Sequence, residues 1–198
     1  WLFFAIRIAG PAAFRAAYKT ILILASVDMA MILGVLLIVS TTHSLEIRYV
    51  GGSSSFLTGS IFILMLVGAL AKAGGVPLHT WVPDLAADAP TTVAAYFPAS
   101  LDKLLGIFKL TVICHILITF TGFKSFAVSS IGAITMLIAV LMALVQKDLK
   151  RLLAFHTVSQ VGYMVLGIGI GTPLGIAGGL CHMINNCMSK TCLFFSGG

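Results

Sequence analysis

Long apolar runs dominate this chain, and they restrict its fold more than any other feature of the sequence. Residues 20–40 hold a single charge and residues 126–145 hold none, and each run matches the roughly 20 residues that cross a bilayer as a helix. Of the 198 residues, 59% are hydrophobic and 9% are charged, and the mean hydropathy is +1.09. A soluble domain of this size lacks the polar side chains to cover so much apolar surface. The sequence therefore predicts an integral membrane protein.

The apolar segments predict an all-α membrane domain with about six transmembrane helices. The second segment is interrupted at residues 74–77 (GGVP). Because a proline removes a backbone donor and clashes with the preceding turn, we expect a broken helix there, with a short continuation through residues 79–81. We treat residues 1–198 as one domain and expect it to be a fragment of a longer chain, since it begins at Trp1. The predicted spans are 20–40, 56–83 (broken), 91–118, 126–145, 152–171 and 174–196.

The basic residues predict the orientation, because cytoplasmic loops of membrane proteins carry an excess of lysine and arginine. Basic loops at 7–19 and 147–151 are separated by four predicted crossings, so we assign both to the cytoplasmic side. The 84–90 connection, with Asp84 and Asp88, falls on the same side. The predicted location is an energy-coupling membrane, in the first instance that of a prokaryotic cell.

The sequence contains no pattern typical of a nucleic-acid, metal or haem site. The net charge of +6 comes from scattered basic residues without interleaved aromatics, which argues against nucleic-acid binding. Haem would need axial histidines at matching depth, and His156 and His182 fall at different heights on adjacent antiparallel helices. We predict no cofactor and no metal. The cysteines lie in apolar stretches with no Cys-x-x-Cys pair, and are Cys114, Cys181, Cys187 and Cys192.

Ionisable residues inside the spans are the candidate functional residues. A charge at the bilayer centre costs about 2.5–3.5 kcal/mol on insertion scales, and such residues usually mark ion or proton paths. Lys103 lies near the midpoint of the third span, beside Asp102, too deep to reach the headgroups easily. Pro98, one turn earlier, frees backbone carbonyls that water can solvate. We interpret Lys103 as a proton relay, with a structural ion pair as the alternative.

Two further ionisable residues belong to the first and second spans. Lys72 lies at the break in the second helix, and broken helices at membrane depth are tolerated where they are buried in protein or line a wet cavity. Ion sites of transporters recur at such breaks, although a lysine near a helix end can also reach out to the headgroups. Asp28 has no partner on its own helix. It could pair with a lysine of a neighbouring helix or line a cavity.

The sixth span carries a polar face. His182, Asn186 and Lys190 are spaced i, i+4 and i+8, which stacks them along one side of a helix. Histidine exchanges protons near neutral pH, and the asparagine can hold a water between its neighbours. Polar contacts that only join helices are the competing account. His156 and Gln160 form a similar pair on the fifth span, where His156 could instead face the headgroups.

Three segments of the sequence form a recognisable series of motifs. The first reads AKAGGVPLHTWVPD and is followed by APT. The second reads QKDLKRLLAF and continues as SQVGYM, and the third runs from a histidine to a lysine and a phenylalanine. These segments are residues 71–84 with 89–91, residues 146–155 with 159–164, and residues 182–195. In this order they resemble the antiporter-like subunits of complex I, of energy-converting hydrogenases and of multisubunit sodium/proton antiporters.

The resemblance implies a fold built from two inverted repeats of helices, of which this chain covers roughly one. It implies that Lys72, Lys103 and Lys190 are proton-relay residues. The chain departs from the family pattern because it lacks the glutamate that pairs with the first lysine, and the residue of the exit half-channel. Asn186 stands where many relatives have a second histidine.

We therefore expect a proton-translocating membrane subunit of a redox-driven respiratory complex, of the NADH-quinone oxidoreductase or membrane-bound hydrogenase type, with no redox site of its own. Its expected partners are other membrane subunits and the lipid bilayer, and its substrate is protons or sodium ions. A subunit of a multisubunit sodium/proton antiporter is the nearest alternative. A quinone- or haem-binding subunit and a scaffold without ion transport are less consistent with buried lysines. The predicted relay residues are Lys72, Lys103, His182, Asn186, Lys190, His156 and Asp28.

Overall fold

The computed structural model describes residues 10–44, 55–117, 120 and 122–197, and this part of the chain contains helices and no strand. The prediction of an all-α membrane fold is confirmed. Two π-helical turns, Phe97–Leu101 and Ile113–Leu117, interrupt the helical rod of the third predicted span. The α-helices are α1 (Gly10–Thr42), α2 (Ser55–Ala73), α3 (Trp81–Asp88), α4 (Thr91–Tyr96), α5 (Asp102–Val112), α6 (Gly122–Leu144), α7 (Leu149–Ile170) and α8 (Pro173–Ser196).

Four of the described helices, α1, α2, α6 and α7, are each long and apolar enough to cross a membrane. Helix α8 has 24 residues, but the polar face predicted from its sequence lowers its hydropathy. The rod formed by α4, α5 and the two π-helical turns is continuous from residue 91 to residue 117. The expected number of about six spans includes this rod and α8.

The predicted break in the second helix is present, and its geometry follows from two adjacent glycines. Helix α2 ends in a Schellman motif, in which Gly75 N–H donates to the Leu70 carbonyl at 2.8 Å and Gly74 N–H donates to the Ala71 carbonyl at 3.1 Å. Gly74 has a φ of +81°, a conformation that glycine adopts without strain. Trp81 then donates from Nε1 to the Ala71 carbonyl at 3.0 Å. This bond ties the start of α3 to the end of α2.

The segment after the break differs from the expectation in extent. The helical continuation begins at Trp81 and runs to Asp88, so Asp84 belongs to a helix and not to the predicted 84–90 connection. Pro83 lies in the first turn of α3, where a missing backbone donor costs no intrahelical bond. Asp84 pairs with Lys19 of α1 at 2.7 Å.

The basic loop predicted at 7–19 is also different. Residues 1–9 lie outside the described part of the chain, while Arg15 and Lys19 belong to α1, which begins ten residues earlier than the predicted span. Alanines at this end of α1 favour helix formation. Which side of the membrane this end faces stays a prediction.

Helix packing places α5 between α2 on one side and α8 on the other. Helix α7 packs against α6, α8, α3 and α5 and is the most deeply buried of the candidate spans. Helices α6 and α7 approach backbone to backbone where Gly132 and Gly162 face each other. Small residues at a crossing let transmembrane helices come this close. The arrangement encloses α5, with the predicted mid-membrane lysine, among α2, α7 and α8.

Candidate functional site

Lys103 is the most deeply buried charged side chain among the described residues, with 2% of its surface exposed. It lies in the first turn of α5, directly after the π-helical turn Phe97–Leu101. Its Nζ donates to Asn186 Oδ1 of α8 at 3.2 Å, and Asn186 is also buried. Two residues predicted from separate segments are thus joined by one hydrogen bond across the α5–α8 interface.

The other two members of the polar face of α8 contact α7. Lys190 is 4% exposed, and its Nζ lies 2.8 Å from Nδ1 of His156. His182 Nε2 lies 2.8 Å from Oε1 of Gln160, which accepts the hydrogen bond. The i, i+4 pair predicted on α7 and the first and last residues of the i, i+4, i+8 set on α8 therefore form two cross-links between antiparallel helices. The side chain of His156 is largely exposed, although its Nδ1 atom contacts Lys190.

Asn186 contacts Lys103 directly, whereas the sequence suggested that it holds a water between His182 and Lys190. The helical spacing places the three residues on one side of α8, but α8 packs against both α5 and α7. Its central polar residue faces the first helix and the outer two face the second. The spacing of residues along a helix predicts which side of it is polar, but it does not predict which neighbouring helix each polar residue contacts.

Lys72 and Asp28 form a third pair, which the sequence left open. Lys72 Nζ lies 3.0 Å from Asp28 Oδ1, so the lysine at the break and the lone aspartate of α1 are partners. Lys72 occupies the last turn of α2, where the unpaired carbonyls at a helix C-terminus favour a cation. Because 40% of the Asp28 side chain is exposed, this pair is more open than the Lys103 site.

A groove adjoins the Asp28–Lys72 pair. It has a volume of about 370 Å³ and is lined by Asp28, by Lys109 of α5 and by apolar residues of α1. The polar groups of this groove and those around Lys103 lie on different sides of α5. Within residues 10–44, 55–117, 120 and 122–197, no three His, Cys, Asp or Glu side chains converge on a position suitable for a metal ion.

Asp102 was not among the predicted relay residues and entered the sequence analysis only as the neighbour of Lys103. It is 5% exposed, and its Oδ2 has no hydrogen-bond partner among the described residues. The sequence placed Asp102 beside Lys103 but gave no sign that the two side chains have different neighbours. The one feature of the sequence that could have indicated a role for Asp102 was its position next to a lysine in the middle of a span.

The chemistry that this arrangement supports is proton transfer. Amines, imidazoles and carboxyls each take up and release protons, and hydrogen-bonded chains of such groups strengthen one another in a low-dielectric interior. Buried ionisable groups inside a membrane domain mark such pathways more often than they stabilise the fold.

Comparisons with known proteins place the chain in a defined group. The profile of the family described as "NADH:quinone oxidoreductase/Mrp antiporter, TM" matches residues 2–198. NAD(P)H-quinone oxidoreductase subunit 5 from the chloroplast of Zea mays is 37% identical over 181 residues, which cover 86% of this chain and 24% of that protein. The chain thus spans about a quarter of the length of this curated relative.

Two solved structures share the fold. A chain of the Mrp complex from Dietzia sp. DQ12-45-1b superposes with a TM-score of 0.86 at 26% identity, over 95% of this chain and 35% of that one. A chain of respiratory complex I from Thermus thermophilus superposes with a TM-score of 0.79 at 25% identity, over 98% of this chain and 42% of that one.

Proposed function

Because this chain belongs to the NADH:quinone oxidoreductase/Mrp antiporter transmembrane family, we propose that it is part of a proton-translocating membrane subunit of a redox-driven respiratory complex. The subunit itself carries out no electron transfer. Its partners are the other membrane subunits of the complex, which supply the driving force. The relatives from chloroplasts extend the family beyond prokaryotic cell membranes, so the location in such a membrane stays a prediction.

The observation that carries this proposal is the burial of Lys103 against Asn186. Among the described residues, Lys103 has one hydrogen-bond partner, the amide of Asn186. Such a lysine gains little for stability, because the cost of removing a charge from water exceeds what one neutral acceptor returns. A protein that only holds other subunits together gains nothing from a buried lysine of this kind. A proton path needs an amine that can exist with and without its proton.

The remaining relay residues flank this centre. The Asp28–Lys72 pair lies on the α2 side of α5. The Lys190–His156 contact and the His182–Gln160 contact lie between α7 and α8. We propose that protons pass between these groups and Lys103 with water molecules bridging the gaps. The order runs from Asp28 and Lys72 through Lys103 and Asn186 to the groups on α7 and α8.

The test replaces Lys103 with alanine in the full-length protein within its native complex. Electron transfer and proton uptake are followed together in sealed vesicles. We expect proton uptake to fall sharply while the complex still assembles. Lys147→Ala is the matched control, because it makes the same substitution at an exposed lysine before α7.

The results distinguish a proton-relay role of Lys103 from a structural one. Loss of proton uptake in Lys103→Ala, with normal uptake in Lys147→Ala, supports the relay. Normal uptake in an assembled Lys103→Ala complex means that Lys103 is structural, and the scaffold reading then replaces the relay.

A sodium/proton antiporter subunit is the second candidate, favoured by the superposition on the Mrp complex chain. Both functions use the same buried lysines, so the site does not separate them. Vesicle experiments with and without sodium ions distinguish the two functions. Proton movement that needs a sodium gradient and no electron donor supports the antiporter, whereas movement driven by the electron donor without sodium supports the redox-driven subunit.

A further inference from the structure

Helix α5 carries two adjacent ionisable residues whose side chains have different neighbours. Lys103 donates to Asn186 on α8 and interacts electrostatically with Lys190 and Cys187 of the same helix. Asp102 interacts electrostatically with Lys72, Asp28 and Lys109. Successive residues on a helix point about 100° apart, so this division follows from the position of α5 between α2 and α8.

The packing of α5 on α2 brings Asp102 toward the end of α2 that carries Lys72. A Cβ added to Gly106 would lie 2.4 Å from the backbone nitrogen of Ala73, so the two helices touch backbone to backbone there. Asp102 is one turn before Gly106 and shares its side of α5. Lys72 directly precedes Ala73. Asp102 therefore lies at the contact between α5 and the C-terminal end of α2, the end of the helix that also carries Lys72.

Asp102 is also buried without full hydrogen bonding. Its side chain is 5% exposed and Oδ2 is without a partner in the described residues. A buried carboxylate with an unsatisfied oxygen is costly for folding. A carboxyl that gains and loses a proton tolerates this site better than a permanent charge does, and ionisable residues inside membrane domains mark functional sites.

We propose that Asp102 transfers protons between the Asp28–Lys72 pair and Lys103. The ammonium of Lys72 gives a proton to the Asp102 carboxylate, which leaves a neutral amine and a carboxylic acid. Asp102 then gives that proton to the neutral amine of Lys103 and returns to the carboxylate. No electrons are transferred, and water molecules carry the proton where the side chains do not touch. This inference rests on the proposed function.

The test compares two variants of the full-length protein in its native complex, in sealed vesicles with electron transfer and proton uptake followed together. Asp102→Asn keeps the shape of the side chain but cannot carry a proton, whereas Asp102→Glu keeps the carboxyl. We expect Asp102→Asn to lose most of its proton uptake and Asp102→Glu to retain it. Asp88→Asn at the end of α3 is the matched control, because it makes the same change away from the cluster.

A second measurement begins with the wild-type complex, so its first result needs no variant. Infrared difference spectra of the wild-type complex during turnover are expected to contain a band of a carboxyl that changes its protonation, and this band is missing in Asp102→Asn. The absence of any such band in the wild type overturns the proposal, as does normal proton uptake in Asp102→Asn. Equal loss in the asparagine and glutamate variants overturns it too, because the shape of the side chain and not its proton then matters.

Parallel measurement of Lys103→Ala keeps this proposal separate from the proposed function. If Lys103→Ala loses proton uptake and Asp102→Asn does not, the subunit translocates protons and only the role of Asp102 is wrong. If both variants take up protons normally, the proposed function itself is wrong.

Discussion

The close crossing of α6 and α7 leads to a prediction about Gly162. A Cβ added to Gly162 would lie 2.6 Å from the backbone nitrogen of Met136 and 2.8 Å from the carbonyl oxygen of Gly132. Both are backbone atoms, so no side chain can rotate out of the way. The helices must move apart until the shortest distance grows from 2.6 Å to the 3.4 Å at which ordinary van der Waals contact begins.

Such a movement has a predictable energetic cost. Forcing additional atoms into a well-packed interior costs about 1–3 kcal/mol, and a site with only backbone neighbours falls near the upper end of that range. The gain in helix propensity from glycine to alanine, about 1 kcal/mol in water, offsets part of it. We therefore expect Gly162→Ala to lower the free energy of unfolding by about 1–2 kcal/mol.

The measurement is equilibrium unfolding of the purified full-length subunit in mild detergent, followed by circular dichroism. Gly178→Ala is the control, since a Cβ at Gly178 on α8 has nothing within 4 Å. We expect this control to be neutral or slightly stabilising. If Gly162→Ala is as stable as Gly178→Ala, the backbone contact between α6 and α7 is wrong, and so is the packing argument.

Three further substitutions test the polar contacts. Asn186→Leu removes the acceptor of Lys103. Because this leaves a buried donor unsatisfied, we expect it to lower stability by about 1–3 kcal/mol and to slow proton uptake. Thermal unfolding and vesicle uptake check the two effects, and an unchanged unfolding midpoint contradicts the contact. Asp28→Asn removes the carboxylate partner of Lys72, so we expect uptake to fall in an assembled complex, and uptake at the wild-type rate would exclude the pair from the path. Asp84→Asn breaks a partly exposed ion pair, which is worth about 0–1 kcal/mol; we expect unchanged uptake and a small change in stability, and a large loss of either would refute a purely stabilising role.

Much of the helical arrangement was predictable, because it depends on local rules. Two glycines before a proline predict the end of α2, and the structure has the Schellman motif at Gly74. The polar residues on α8 recur at helical spacing and do lie on one side of it. The extent of α3 was not predictable, because Pro83 fits the first turn of a helix as well as a loop.

The pairing of the polar residues could not be read from the sequence. Asp28 and Lys72 are distant in the chain, and only the packing of α1 on α2 brings them to 3.0 Å. His156 and Gln160 suggested a pair within α7, yet each contacts a residue of α8. Periodicity gives the side of a helix that is polar, whereas the partner depends on the angle at which two helices cross.

The π-helical turn Phe97–Leu101 determines the two sides of α5. Pro98 cannot donate a backbone hydrogen bond and its ring clashes with the carbonyl four residues earlier, and a wider turn relieves this clash. A π-helical turn adds one residue to the helix, which rotates everything after it by about 100° relative to α4. Without that rotation, Lys103 would not face Asn186 of α8. The wider turn at Pro98 therefore orients Lys103 toward the polar face of α8, while Asp102, the preceding residue, points about 100° away from it.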